Sequence, residues 1–424
     1  MLDNILGAIR RLIPAKIFNF VSPAYHWLLA YYAAYHYRFP SRYIKVIAVT
    51  GTKGKSTTTE ILNAMLEAGG NKTALSNTIR YKVGDDSKRN LFKMSMPGRL
   101  FAQKLIRQAV DAGCQYVIME MTSQGALLYR HRFIELDTLI FTNLTPEHIE
   151  AHGSYDNYRD SKLAIARNMS YSKKPVRTII VNADDKESEH FLECQAEKKI
   201  SYSIHDVEPY EIKDEGLEFS FDGHIVKSRL SGIFNLYNIL AAATAARNEN
   251  VSIDKIIEVV ESILTIPGRV EKIECPNNIS VIVDYAHTPD SLEKLYQLFK
   301  NSRIIGVLGG TGGGRDAWKR AEMGRLADKY CAEIILTNED PYDEDPRKIV
   351  EDVAAGIKTK TPTIIMDRRQ AIAEALKRAR SGDAILITGK GTDPYIMGPK
   401  GSKIPWSDAE VAGEEIACHS RDLW

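Results

Sequence analysis

The stretch VTGTKGKSTT, residues 49–58, lies between the apolar run YIKVIAV and the helix-like EILNAMLEAGG. It constrains the fold more than any other part of the chain. A β-branched run entering a glycine-rich turn that opens a helix is the local design of a phosphate cradle. Glycines let backbone N–H groups converge on an anion, and the start of the helix adds the positive end of its dipole. The common spacing GxxxxGK[ST] is not met, because Val49 stands five residues before Gly54. The chain has the shorter Gly51-x-x-Gly54-Lys55-Ser56-Thr57. In it Lys55 is expected to reach the outer phosphates and the Ser56 hydroxyl to ligate Mg²⁺. The bland alternative is a turn that only joins two elements, and its placement between strand and helix argues against that.

A loop of this kind needs a sheet behind it. The runs KVIAVT, QYVIME, TLIFTNL, RTIIVNA, SVIVDYA, RIIGVLGG, EIILTNE, TPTIIMD and DAILITG read as strands buried on both faces. Amphipathic segments between them predict an α/β fold with mainly parallel sheets. Residues 198–230 break the rhythm: KKISYSI, GLEFSF and HIVKSRL predict short antiparallel strands with a turn at Asp222–Gly223. Pro267 and Gly268 close a helical segment before a new series of strands. The expected division is a short helical head (1–43), a central ATP-binding domain (44–267) and a C-terminal α/β domain (268–424). A chain of 424 residues is long enough for more than one core.

The net charge of +1 gives no hint of a nucleic-acid partner. Five dispersed cysteines, without a CxxC pair, favour a reducing, cytoplasmic setting over a disulfide framework or a zinc site. The head stretch IFNFVSPAYHWLLAYYAAYHY follows Arg10, Arg11 and Lys16. It is too polar for a membrane span and lacks a clean cleavage site. Helices packed on the enzyme body are expected, with peripheral membrane contact as the second reading. A monomer is expected.

Downstream of the loop, Glu120 ends QYVIME and is followed by Thr122 and Ser123, while TLIFTNLTPEH carries Asn143 and His148. In an open α/β sheet these residues emerge on the edge that carries the phosphate loop. A carboxylate and an imidazole there suit a divalent ion bridging a terminal phosphate to a second substrate. By itself this is weak, since a loop histidine is usually solvated. Lys162 in YRDSKLAIA is, on its own, an ordinary exposed helical lysine.

TGTKGKSTT, MEMTSQ, FTNLTPEHIEAHGSYDNYRDSK, GIFNLYN, IPGRVE, VDYAHTPDSL, GGTGGGRD and ITGKGTDPY occur in the order found in the Mur ligases, which the chain resembles over roughly residues 45–424. Those enzymes build the peptidoglycan stem peptide, and the motifs are most like the branch that adds its third residue, diaminopimelate or lysine. The resemblance implies a P-loop ATPase domain followed by a Rossmann-like C-terminal domain. It also implies ATP and Mg²⁺ as cofactors, and a nucleotide-sugar peptide and an amino acid as the joined partners. In the implied chemistry a substrate carboxylate attacks the γ-phosphate of ATP, and an amine then displaces phosphate from the acyl phosphate.

Carried over by motif, Gly51, Thr52, Lys53, Gly54, Lys55, Ser56, Thr57 and Asn143 hold ATP and the first Mg²⁺. Glu120, His148 and a carbamylated Lys162 bind the second. Asn235 and Asn238 lie at the adenine side, where the alternative is helix capping. Arg269 approaches the phosphates, and Asp284 and His287 the ribose. Ser95, Thr122, Ser123 and Arg130 fall at the acceptor. Arg315, Glu339, Asp340, Gly389, Lys390 and Asp393 fall at the incoming amino acid. Arg315, Asp316, Lys319 and Arg320 are expected to face the interdomain cleft.

Several positions depart from the pattern. Glu339-Asp340-Pro341-Tyr342 replaces the family's DNPR, removing an arginine able to grip a second carboxylate. Two acids there suit a cationic end such as that of lysine, with diaminopimelate held by other arginines as the alternative. Gly389-Lys390-Gly391-Thr392-Asp393 replaces GKGHE, and Ser95-Met96-Pro97, Leu128 and Arg130 only partly match the family's acceptor contacts. About 43 residues precede the central domain, too few for a UDP-binding α/β domain. The competing readings are a folylpolyglutamate synthetase-like glutamate ligase and an ATP-binding scaffold without ligase activity. A zinc-bearing subunit that amidates lipid II is disfavoured by the scattered cysteines.

Overall fold

The nine apolar runs that read as strands all form strands. The computed structural model describes residues 15–147, 152–213, 216–314 and 317–422. They form two units: residues up to Ile204 with Tyr237–Ile256, and His205–Leu236 with the chain from Ile257 onward.

The first unit holds an eight-stranded sheet of β1 (Lys45–Thr50), β2 (Thr73–Ser76), β3 (Arg80–Val83), β4 (Asp86–Arg89), β5 (Tyr116–Glu120), β6 (Thr138–Phe141), β7 (Thr178–Asn182) and β8 (Lys198–Tyr202). The strand order is β4-β3-β2-β5-β1-β6-β7-β8, parallel except for the β3 and β4 edge. The central strands are apolar on both faces because helices cover both. Val46 and Ala48 of β1 join Val117, Met119, Leu139 and Phe141 in one core. β1 pairs with β5 on one side and β6 on the other, with Val49 opposite Glu120 and Thr50 opposite Phe141. Three carboxyl ends therefore open side by side, which is where ligands bind in such sheets.

One sequence expectation is corrected. KKISYSI does not belong to an antiparallel cluster: β8 pairs in parallel with β7, Thr178 opposite Lys198. A helix at Ser188–Leu192 makes the crossover, and a half-exposed edge strand shows the same alternation as a hairpin strand. The antiparallel part is β9 (Tyr210–Lys213), β10 (Gly216–Phe221) and β11 (His224–Ser228) in the second unit. Asp222 and Gly223, both with positive φ, close the β10–β11 hairpin as expected.

The main sheet of the second unit comprises β12 (Glu271–Ile273), β13 (Ser280–Asp284), β14 (Ile304–Leu308), β15 (Glu333–Leu336), β16 (Thr363–Ile364) and β17 (Ala384–Thr388). Its order is β12-β13-β17-β14-β15-β16, with only β12 antiparallel. Two apolar layers, one on each face, close its core.

Candidate active site

Gly51 and Gly54 shape the loop after β1. Gly51 has φ +147° and Gly54 φ +83°, and a Cβ would strike Thr142 Oγ1 at the first and Asn238 Oδ1 at the second. Glycine is required at both. The strand β6 holds the loop from the side. Thr52 N donates to Asn143 O (2.8 Å), Lys53 N to Asn143 Oδ1 (2.9 Å), and Thr142 Oγ1 to Lys53 O (2.7 Å). Helix Lys55–Ala68 starts at Gly54 without a side-chain cap, so the positive end of its dipole faces the loop. Lys55 Nζ folds back onto Thr52 O at 2.9 Å, and Lys53 Nζ pairs with Glu147 Oε1 at 3.1 Å.

Glu120, at the end of β5, is buried beside this loop. Ser56 Oγ donates to its Oε2 at 2.8 Å, and Ser95 Oγ to its Oε1 at 2.9 Å. The Thr78 N–H and hydroxyl both reach Oε2 at 3.1 Å, and Lys55 Nζ stands 3.9 Å from Oε1. The structure thus joins the loop's Ser56 and Lys55 to Glu120 and to Ser95, a residue assigned to the acceptor. Thr78 was not anticipated, because SNT between two short strands carries no signal. Thr122 caps the helix Ser123–Leu127 by accepting from Gly125 N, and Ser123 is buried at its start. Arg130 is half-buried and donates to Met96 O, with Nε unpartnered and no acidic partner among the described residues. Burial lowers its pKa.

Lys162 is not the exposed lysine that its sequence context suggests. It is 2% exposed, in helix Tyr155–Arg167, and its Nζ donates to Gly51 O at 2.6 Å beneath the loop. The Tyr158 ring lies 4.9 Å from Nζ. Burial, with the Lys55 cation adding to it, holds the Lys162 amine well below the ordinary lysine range, against the opposing pull of Glu147 and Glu120.

His152 is a second residue that motif reading passed over, though it stands ten residues before Lys162 in the same segment. Ser161 Oγ spends its proton on Asn157 O (2.7 Å), so His152 Nδ1–H donates to that hydroxyl at 3.1 Å. Its Nε2 is buried without a partner, and burial, followed by the neighbouring Lys162, lowers the ring's pKa. His148 lies outside the described residues, as do Arg315 and Asp316.

In the second unit the carboxyl ends of β13, β14, β15 and β17 gather the remaining candidates. Asp284 accepts Val270 N and Ala286 N, both at 2.7 Å, and His287 Nδ1 donates to Tyr285 O at 2.7 Å. Arg269 lies over the Tyr285 ring at 4.5 Å. Asp340 Oδ1 accepts Lys390 Nζ at 2.9 Å and Met397 N at 2.8 Å, and Asp393 Oδ2 stands 3.6 Å from the same lysine. Glu339 Oε1 accepts Thr311 Oγ1 at 2.7 Å, while Oε2 is buried and unpartnered. Burial first, and Asp340 second, raise the Glu339 pKa. Gly389 has φ +104°, and a Cβ there would strike the Glu339 carboxylate.

Asn235 anchors its own helix by donating to Ser231 O at 2.8 Å, the structural role weighed as its alternative. Asn238 accepts from Thr58 Oγ1 at 3.4 Å, opposite Gly54. Arg320, expected at the interdomain cleft, is buried and bonded to Glu344 (2.7 Å), Asp352 (3.0 Å) and Thr311 O (3.1 Å). Lys319 is buried as well.

A loop with glycines locked by β6, a buried carboxylate on β5 and a buried lysine under the loop define a nucleotide-dependent group-transfer centre on an α/β frame. The chain belongs to the Mur ligase family: the Mur ligase middle domain matches residues 49–246 and the Mur ligase, glutamate ligase domain residues 268–391. It is 34% identical to the UDP-N-acetylmuramoyl-L-alanyl-D-glutamate--2,6-diaminopimelate ligase of Syntrophomonas wolfei, covering 91% of this chain and 81% of that one. The UDP-N-acetylmuramyl-tripeptide synthetase of Roseiflexus sp. is also 34% identical, with 92% and 82% covered. A solved UDP-N-acetylmuramoyl-L-alanyl-D-glutamate--2,6-diaminopimelate ligase aligns with TM-score 0.61 at 25% identity, covering 89% of this chain and 79% of that one. Mycobacterium tuberculosis folylpolyglutamate synthase aligns with TM-score 0.70 over 87% and 93%, but at 15% identity it speaks for the fold alone.

Proposed function

We propose that this protein is an ATP-dependent, ADP-forming ligase that joins a diamino acid, L-lysine or meso-diaminopimelate, to UDP-N-acetylmuramoyl-L-alanyl-D-glutamate or a related acceptor. The observation that carries the reading is the buried Lys162 amine bonded to Gly51 O beneath the phosphate loop. A neutral primary amine is the form that reacts with CO₂, and the carbamate so formed turns a cation into an anionic oxygen ligand. The relatives named above support the acceptor and amino-acid classes.

Ser56 and Glu120 offer hard oxygen donors 2.8 Å apart, which fits Mg²⁺. Among the described residues no group of three or more histidines, cysteines or acids could hold a metal alone. Mg²⁺ is usually held by one or two carboxylates plus substrate phosphates, so in this reading Ser56 serves a first ion at the loop, and Glu120, carbamylated Lys162 and His148 a second. When bound, the ion neutralises the charge of the transferring phosphoryl group.

The chain's own residues then bind and orient. The backbone of Gly51–Thr57, with Asn143 and Asn238 beside it, cradles the triphosphate, and Lys55 leaves Thr52 O for the outer phosphates. Arg269, Asp284 and His287 are assigned to the nucleotide as well, and Asn235 to its adenine side. Arg130, a half-buried cation without an acidic partner among the described residues, suits an acceptor carboxylate, with Ser95, Thr122 and Ser123 nearby in sequence and role. Phosphorylation of the acceptor carboxylate supplies the leaving group that an amine can displace. Glu339, whose Oε2 lacks a donor, suits the ammonium of the incoming amino acid, with Arg315, Asp340, Gly389, Lys390 and Asp393 around it. A cytoplasmic monomer is part of this reading.

The test is a screen of amino acids with ATP and UDP-N-acetylmuramoyl-L-alanyl-D-glutamate, read by phosphate release and product mass. A product heavier by one lysine or diaminopimelate residue is expected. Glutamate added to a folate, or no amine-dependent phosphate release with any acceptor, would overturn it in favour of the folyl ligase or scaffold reading.

A further inference from the structure

The helix Ala15–His36 presents a face that the other described residues of its unit do not cover. Its side chains are described from Ser22 onward. Ala30, Ala33 and Ala34 are buried, on a helix that packs against Arg99–Asp111. Small residues on that side allow close approach, and Arg99 adds a clamp. Its guanidinium meets His26 Nδ1 at 2.6 Å and donates to Leu128 O.

At 3.6 residues per turn, Trp27, Leu28, Tyr31, Tyr32 and Tyr35 fall on the opposite side. All five are exposed, from 42% at Tyr31 to 66% at Tyr35. They are ordered all the same. Trp27 stacks on Tyr31 with centroids 5.7 Å apart, and Tyr31 on Tyr35 at 6.3 Å. Phe133 closes edge-on against Trp27 and Tyr31 at 5.3 and 5.4 Å. Exposed Leu100 and Leu127 neighbour the Arg99 clamp in sequence and extend the apolar surface onto the body. A patch of this kind marks an interaction site rather than ordinary surface.

Its chemistry selects the occupant. From Ser22 to Tyr37 there is no Asp, Glu, Lys or Arg. Residues 1–43 as a whole carry Arg10, Arg11, Lys16, Arg38 and Arg42 against Asp3, five cations less one acid, or +4. With the whole chain at +1, the other 381 residues sum to −3, so the stretch of sequence that bears the aromatic face is the more positive one, even with Arg42 paired to Glu135 at 2.7 Å. Tryptophan and tyrosine have an apolar body and a polar tip and prefer the headgroup level of a bilayer. No described helix is long and apolar enough to cross a membrane. An uncharged aromatic face on a non-spanning helix, within a stretch of sequence of net positive charge, suits a segment lying in the plane of an anionic lipid surface.

We propose that the helix Ala15–His36 docks this protein, through its Trp27–Tyr31–Tyr35 face, on an anionic phospholipid surface. Docking is peripheral and reversible, and it is independent of which acceptor the ligase takes.

The experiment is flotation of the full chain with vesicles of phosphatidylcholine alone, or of phosphatidylcholine with phosphatidylglycerol. The protein is expected to float with the phosphatidylglycerol vesicles and to release as salt screens the cations. The triple variant Leu28→Ser, Tyr32→Ser, Tyr35→Ser is expected to cut partitioning at least about tenfold, as lost apolar burial predicts, with an unchanged melting temperature. Brominated lipid should quench wild-type tryptophan fluorescence but not that of Trp27→Phe. Three results would each overturn the proposal: no flotation of the wild type, flotation unaffected by the triple change, or a concentration-dependent dimer that the triple change dissolves. The last would make the face a contact between copies of the chain.

Discussion

A methyl group at Gly54 would strike Asn238 Oδ1 on a backbone already at φ +83°. Gly54→Ala is expected to cost about 1–3 kcal/mol in urea unfolding and to weaken binding of a non-hydrolysable ATP analogue. An unchanged midpoint and affinity would show that the loop has room to move. Lys162→Ala is expected to lower kcat by about 10²–10³-fold, the usual loss for a group that stabilises developing charge. Acetate or formate should restore part of that activity, and full activity without rescue would remove Lys162 from the mechanism. His131 gives a pH prediction. It is buried with neither ring nitrogen partnered, and burial holds its pKa down at about 3 against 6.5 for a free histidine. Between those values the unfolded chain carries a proton that the folded one does not, so stability rises with pH across that window and is lost as pH falls through it. The slope from this group approaches about 1.4 kcal/mol per pH unit. His131→Phe should flatten the acid limb of a denaturation series between pH 6 and pH 4 by about that amount per unit; an unchanged limb would mean that the histidine charges in place. Motif reading found Lys55, Ser56 and Glu120 because their roles follow from the strand and loop they sit on. The motif named Lys162 as well, but its burial, and the whole of His152, were opaque at this scale, since burial is conferred by residues distant in sequence.

Among the elements, the carboxyl ends of β15 and β17 are braced by Arg368. It pairs with Asp408 through two hydrogen bonds of 2.8 and 2.7 Å, with both side chains fully buried. The same guanidinium donates to Thr388 O at 2.8 Å and Asn338 O at 3.3 Å, next to Gly389 and Glu339. Arg368→Ala leaves Asp408 uncompensated and is expected to cost about 3–5 kcal/mol in denaturant unfolding. Arg368→Met with Asp408→Leu should recover much of that loss, and equal losses in both variants would mean that the carbonyl contacts, not the ion pair, carry the effect. Strand existence was legible wherever a buried parallel strand reads as a continuous apolar run. It failed at the edges. β3 and β4 lie in RYKVGDDSKR, which is polar because an edge hairpin is solvated, and β2, though buried, is only the four residues TALS, too short for a period to read. β8 was visible as a strand, but its direction was not, because the direction of pairing depends on the crossover that precedes it.

Over the whole molecule, each unit closes its own hydrophobic core around the middle of its own sheet. Native-state hydrogen exchange should therefore be slowest in β1, β5 and β6 of the first unit and β13, β14 and β17 of the second. The β4 and β9 edges should exchange orders of magnitude faster; uniform protection within a sheet would contradict this. The sequence alone determined the α/β class, the phosphate loop and the family, because alternating apolar runs and a strand–glycine–helix junction are local patterns that the backbone must obey. Tertiary structure alone decided that Lys162 is a buried amine under Gly51, that Arg320 and Asp340 are spent on partners within their own unit, and that the head leaves an aromatic face exposed. Burial and pairing are set by what the folded chain brings near a side chain. Neighbours along the sequence do not specify it.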